Sequence, residues 1–225
     1  MGLLVLAAVI WLAVHIGVAG TALRRRVVDM LGETAFRGVF TMASIASLVF
    51  LVLAYDRAAT LPLWGAPPWL VGVLDVAMLA ATLLFAASLT PANPTMAGTE
   101  RAFGGAPRGI FRVTRHPMLC AFAIWAGVHM IANGDTASLV FFGTFLVTVL
   151  AGIPSIDAKL ARRDPEKWAL LARSTSALPF AAIVAGRNRL EAAEIGWRWP
   201  LLGALLWVLL LVLHPYVIGV RAVPM

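Results

Sequence analysis

All four histidines of the 225-residue chain, His15, His116, His129 and His214, fall in or at the ends of long apolar stretches, and Asp75 lies inside another. An ionisable side chain inside a bilayer costs at least about 2.5 kcal/mol, so each is a candidate for function. Neutral imidazole is a good iron ligand. Two histidines on facing helices are a common way for a bundle to hold a metal cofactor such as haem. Small residues would leave room for the ring: Gly17, Ala19 and Gly20 flank His15, and Ala126 and Gly127 precede His129. Histidine also caps helices and bonds across spans. On residue types alone both readings stay open.

A second group sits at the start of one apolar stretch. Arg115-His116-Pro117 would place a cation and an imidazole at a membrane surface, where the cation suits a carboxylate. Proline in the first helical turn accounts for the same stretch with no ligand at all. Cys120, the single cysteine, is four residues after His116 and shares its helical face. His129 is nine residues after Cys120, about half a turn away in projection. This segment therefore presents two different faces to two different neighbourhoods.

The elements that position these residues are membrane helices. The set AVILMFWYC makes up 61% of the chain and charged residues 13%, with mean hydropathy +0.89. A soluble domain carries about 25% charge, so the composition excludes an ordinary soluble enzyme, a disordered tail and a disulfide scaffold. The expected class is an all-α, polytopic membrane bundle forming a single membrane domain over residues 1–225. A span needs about 20 apolar residues, and six segments qualify: 2–23, 34–55, 69–90, 116–133, 137–154 and 199–219. The fourth and fifth are short and joined by Asn133-Gly134-Asp135, as in a helical hairpin or, alternatively, a re-entrant pair that does not fully cross.

The net charge of +7 reads as topology rather than nucleic-acid binding. Arg24, Arg25 and Arg26 follow the first apolar run, the reverse of a signal peptide. With both termini outside, sixteen of the eighteen Lys and Arg face inward, leaving Arg57 and Arg221 outside. The expected location is a bacterial inner membrane, crossed several times. Inside, residues 91–115 read as an irregular linker because Pro91, Pro94, Gly98, Gly104, Gly105 and Pro107 interrupt them. Residues 157–198 read as a cytosolic interfacial segment. Within it Asp164-Pro165-Glu166 starts an amphipathic helix bearing Leu160, Trp168 and Leu171.

Depth along these helices follows from a rise of about 1.5 Å per residue. His116 lies at the inner surface, His15 about 12 Å above it, and His129 and His214 roughly 20 Å above it. Asp75 enters from the other side to about 9 Å. An outer cluster of Asp75, His129, His214, Tyr216 and Asn133 is expected. Depth alone pairs His129 with His214; pairing His15 with His129 spans roughly 9 Å and requires a tilted ring.

Five stretches resemble one family in the same order: Val14-His15-Ile16-Gly17, the run from Gly109 through Arg115-His116-Pro117, Ile124-Trp125-Ala126-Gly127-Val128-His129, the run from Ala177 to Ala182, and Leu213-His214-Pro215-Tyr216. They resemble the NnrU family, from about residue 10 to the C-terminus. That family includes bacterial proteins linked to nitric oxide and denitrification and the plant zeta-carotene isomerase. The resemblance implies haem b held by His15 and His129; because metal-bound histidines need an outer partner, Asp75 or His214 is the expected residue to orient one of them. It also implies an isomerase acting on a hydrophobic polyene, or a protein handling a small gas or electrons with a redox partner. In the isomerase a cysteine three residues before the histidine exchanges as iron ligand. Here that position is Ala126, and the fifth span lacks the histidine found there.

Arg115-His116-Pro117 followed by an apolar helix also resembles, more distantly, the membrane methyltransferases of isoprenylcysteine and phospholipid. That resemblance implies S-adenosylmethionine at Arg115 and His116, with Asp157 and Trp168 where that pattern has Glu and Tyr. A non-catalytic membrane accessory protein is the third reading.

Overall fold

The computed structural model describes residues 1–90, 93, 95 and 105–222. Every extended element among them is a helix. Four helices are long and apolar enough to cross a membrane, and a bent pair near the N-terminus brings the number to five. Apolar side chains point outward. In the last of these helices only 6% of the most apolar window is buried within the protein. Leu201, Leu202, Leu205, Leu209 and Val212 are all exposed on it. Water does not tolerate contiguous apolar surface on this scale, so the bilayer is the solvent for these faces.

The described residues form two compact units, residues 1–66 with 129–152, and residues 67–128 with 153 onward. In the first unit α1 (Gly2–Leu12) runs into a π-helical turn over Ala13–Val18, then α2 (Leu23–Leu31), bent 77° from it. The expected single span over 2–23 is thus shorter. The three arginines sit on a separate helix whose residues are all at least partly exposed, apolar on one face and charged on the other, as at an interface. Gly32, at φ +82°, turns the chain into α3 (Glu33–Asp56), which packs on α1. Glu33 pairs with Arg24 at 2.7 Å and Arg37 at 3.0 Å.

The first unit also takes residues 129–133 of α6 (Pro117–Asn133) and 136–152 of α7 (Thr136–Arg163). Asp135 caps α7 by accepting from the Ser138 amide at 2.9 Å. Gly134, at φ +62°, offers its carbonyl to the Leu63 and Trp64 amides at 2.8 and 3.1 Å. A side chain there would collide with the Trp64 carbonyl oxygen.

In the second unit α4 (Pro68–Ser88) packs on α11 (Arg198–Val217). Gly203 permits the approach: a Cβ there would lie 2.7 Å from Leu83 Cα. The same unit carries α5 (Ile110–Val113), α8 (Pro165–Ser174), α9 (Ala181–Val184) and α10 (Ala192–Ile195). Asp164 caps α8 through the Lys167 amide at 3.0 Å, as its sequence predicts. Leu160 and Leu171 are buried with Ile156 and Trp168 against them.

The expected spans over 34–55, 69–90 and 199–219 match α3, α4 and α11 to within about two residues. The fourth, 116–133, matches α6 to within one residue and is short as expected, whereas the fifth is longer than expected. Helix α6 has 17 residues and rises about 25 Å, less than the ~30 Å hydrocarbon thickness. Helix α7 has 28 residues and carries Asp157, Lys159, Arg162 and Arg163 as helix rather than as loop. Of the expected linker, Pro91, Pro94, Gly98, Arg101 and Gly104 lie outside the described residues.

Candidate cofactor site

The first unit places His15 in the π-helical turn, where bonds reach back five residues, as from Ala19 N–H to the Val14 carbonyl at 3.2 Å. Such turns are rare and concentrate at functional sites. The imidazole stacks on Trp11, ring centroids 3.8 Å apart and planes 21° from parallel. Its Nδ1 lies 3.0 Å from the Trp11 carbonyl oxygen. A carbonyl only accepts, so in the neutral ring Nδ1 carries the proton and Nε2 the lone pair. Phe40 stands edge-on at 5.5 Å. The ring is half-buried, and among the described residues Nε2 has no hydrogen-bond partner.

His129, also half-buried, belongs to the same unit and stacks on Phe142 at 4.7 Å. A continuous run of ring contacts joins the two histidines: His15 to Trp11, Trp11 to Phe145 at 5.1 Å, Phe145 to Phe141 at 5.3 Å, Phe141 to Phe142 at 5.0 Å, and Phe142 to His129. Tyr55 stacks on Phe141 at 4.5 Å, and its hydroxyl meets Ser138 Oγ at 2.8 Å. An apolar, aromatic setting with two imidazoles suits haem. His15 meets the further requirement that its other nitrogen be bonded to a fixed acceptor. No group of three or more His, Cys, Asp or Glu fit for a bare metal ion occurs among the described residues.

The remaining expected residues are engaged differently. His116 is fully buried, and its Nε2 meets Asp157 Oδ1 at 2.8 Å. Arg115 grips the same carboxylate, Nε to Oδ1 at 3.1 Å and Nη2 to Oδ2 at 2.5 Å, and lies over the Trp168 ring at 5.3 Å. The fold thus brings together Arg115, His116, Asp157 and Trp168. The arginine is matched by an internal carboxylate, which a ligand carboxylate would have to displace. Cys120 is buried, with Thr114 Oγ1 and the Ala177 carbonyl 3.5 Å from its sulfur. Local contacts engage residues expected in the outer cluster. Trp207 donates to Asp75 at 3.0 Å, Asn133 donates to Ser138 at 3.0 Å, His214 Nδ1 meets the Val220 carbonyl at 2.7 Å, and Tyr216 is exposed.

Sequence reasoning missed Trp11, Thr148 and the α7 phenylalanines. Trp11 and His15 are four apart on one helix, a spacing at which rings meet. Thr148, which accepts the Trp11 indole N–H at 2.9 Å, left no signal 137 positions away.

The model of one protein family, described as NnrU protein, matches residues 3–222. The chain is 30% identical over 190 residues to the chloroplastic 15-cis-zeta-carotene isomerase of Arabidopsis thaliana, covering 80% of this chain and 49% of that protein. It is 27% identical over 195 residues to the enzyme of the same name from Zea mays, covering 83% and 52%. The chain spans about half the length of these curated relatives. No solved structure matches it.

Proposed function

Because the chain belongs to the NnrU family, we propose that it is a haem b protein of the bacterial inner membrane, with His15 and His129 as the two iron ligands. The observation that carries the reading is His15 itself: its Nδ1 is engaged by the Trp11 carbonyl, its Nε2 is unpartnered among the described residues, and it shares a unit with His129. Haem in such a setting supplies a reversible one-electron change at iron. His15 and His129 would hold it, in the aromatic surroundings of Trp11, Phe40 and Phe142.

The activity that goes with this site is redox-controlled cis–trans isomerisation of a hydrophobic polyene, by likeness to the two plant isomerases. Ala126 stands where the resemblance places an exchanging cysteine, and Cys120 is committed to Thr114 and Ala177. Isomerisation here would therefore proceed without cysteine ligand exchange. Binding of nitric oxide to the same iron is the second role the family implies.

The test is an absorption spectrum of the detergent-purified protein, air-oxidised and then dithionite-reduced. A Soret band that sharpens on reduction, with resolved alpha and beta bands, is expected. It should vanish in both His15→Ala and His129→Ala and persist in His214→Ala. A protein that stays colourless after haemin is added would overturn the proposal. A spectrum unchanged by nitric oxide would remove the gas-binding role alone.

A further inference from the structure

Trp11 does more than fill space beside His15. Its indole is nearly parallel to the imidazole at 3.8 Å, so it sets the plane of that ring. The backbone carbonyl of the same residue accepts from His15 Nδ1–H at 3.0 Å, a bond that favours one tautomer while the stack keeps the ring in reach of it. The indole is in turn fixed: its N–H reaches Thr148 Oγ1 at 2.9 Å, and Phe145 packs against it at 5.1 Å. Thr148 spends its hydroxyl proton on the Thr144 carbonyl at 2.8 Å, which leaves its lone pairs for the indole. Trp11 is only 9% exposed, whereas His15 is half-buried, so the support lies inside and the imidazole at the margin.

We propose that Trp11, anchored by Thr148, is a positioning residue that holds His15 as the Nδ1–H tautomer and presents its Nε2 edge to a ligand that needs an imidazole lone pair. A ring free to turn about its side-chain bonds would divide between tautomers and orientations; stack and carbonyl together leave one. The ligand rests on the haem reading above, whereas the geometry of the ring does not.

The experiment uses the whole 225-residue chain, labelled with nitrogen-15 at histidine and purified in detergent before any haemin is added. Under alkaline conditions, where imidazole is neutral, the nitrogen shifts of His15, assigned by their loss in His15→Gln, report the tautomer. The Nδ1–H form is expected to dominate in the unaltered protein and to give way to a mixture in Trp11→Leu and Thr148→Val. Thr148→Ser is expected to restore it. Haemin titration of the same samples should show binding weakened about 10-fold in the two disrupting variants, the lower end of what outer supports of metal ligands contribute. Thr148→Val is nearly isosteric and carries the test if Trp11→Leu fails to fold. An unchanged tautomer in Thr148→Val overturns the positioning role, as does unchanged haemin affinity. An unaltered protein that takes up no haemin overturns the haem reading, while the tautomer still decides the role of Trp11.

Discussion

His15, in a π-helical turn, and His116, just before α6, each have one nitrogen bonded to an oxygen and one without a partner among the described residues. Yet the fold leaves only the first ring accessible. His15 stands half-buried among rings, with no charge in contact and its Nε2 edge unpartnered among the described residues. His116 is fully enclosed, and its Nε2 is tied to a carboxylate that an arginine also holds. A histidine that offers a lone pair to a ligand must keep one nitrogen unengaged at an accessible edge. A histidine that completes an internal charge network gives its nitrogen to the protein. Both lie beside motif-like sequence, so it is environment rather than motif that separates an imidazole with an accessible nitrogen from one enclosed in a charge network.

The largest effect that would break this comparison comes from exchanging the two losses. His15→Ala is expected to abolish the haem absorption, a fall in affinity beyond about 100-fold, while the helical circular dichroism persists. His116→Ala is expected to keep the haem absorption. Loss of colour in His116→Ala with a folded, monodisperse protein would mean that the inner network, not the aromatic one, holds the cofactor. Next in size is Asp157→Ala. It leaves the Arg115 guanidinium, 13% exposed, without its partner. Stranding one member of a buried pair costs about 3–5 kcal/mol. A thermal midpoint within a degree or two of the unaltered protein would show that solvent or lipid headgroups already satisfy Arg115.

A smaller effect tests the first unit without touching its histidines. Gly134→Ala forces a side chain into the left-handed region and against the Trp64 carbonyl, where non-glycine residues cost about 1–3 kcal/mol. The loss of stability should come with exposure of Trp64, whose indole donates to the Ile131 carbonyl at 2.9 Å. Unchanged protease resistance at residues 57–66 would show that the turn is not what holds this segment.

Much of this architecture is legible in the sequence because the bilayer imposes a simple rule on α3, α4 and α11: about 20 apolar residues, bounded by polar ones. The rule fails where polarity and helicity part company. Asp157 and the cations after it read as loop, but a helix accommodates a charge if a partner is nearby, and Arg115 supplies one from 42 positions away. It fails again at Ala13–Val18, where an apolar run reads as ordinary helix and the π-turn arises from backbone bonding. The candidate site follows the same division. His15 and His129 stand out as costly residues in apolar runs, whereas Trp11 and Thr148 are ordinary membrane residues whose role exists only in their contact.

The smallest expected effect sharpens the comparison from the second unit, on a contact outside the membrane-spanning helices. Glu194 accepts from Arg112 Nε at 2.7 Å and Nη1 of the same arginine reaches Asn188 at 2.9 Å, while the Gly109 amide donates to the glutamate at 2.9 Å. The Arg112 hydrogen bond first, and the Gly109 amide second, lower the Glu194 carboxyl from an ordinary 4.5 to about 2. The folded-state value is the lower one, so the contact contributes fully above pH 4.5. Its contribution falls as pH drops toward about 2. The thermal midpoint should therefore decline over that interval, and Glu194→Gln should flatten the decline without altering the haem absorption at neutral pH. An identical acid slope in Glu194→Gln would assign the decline to another carboxylate. Asp157, tied to His116, is then the one to examine, which would make the inner charge network rather than this surface contact the part of the second unit that acid opens first.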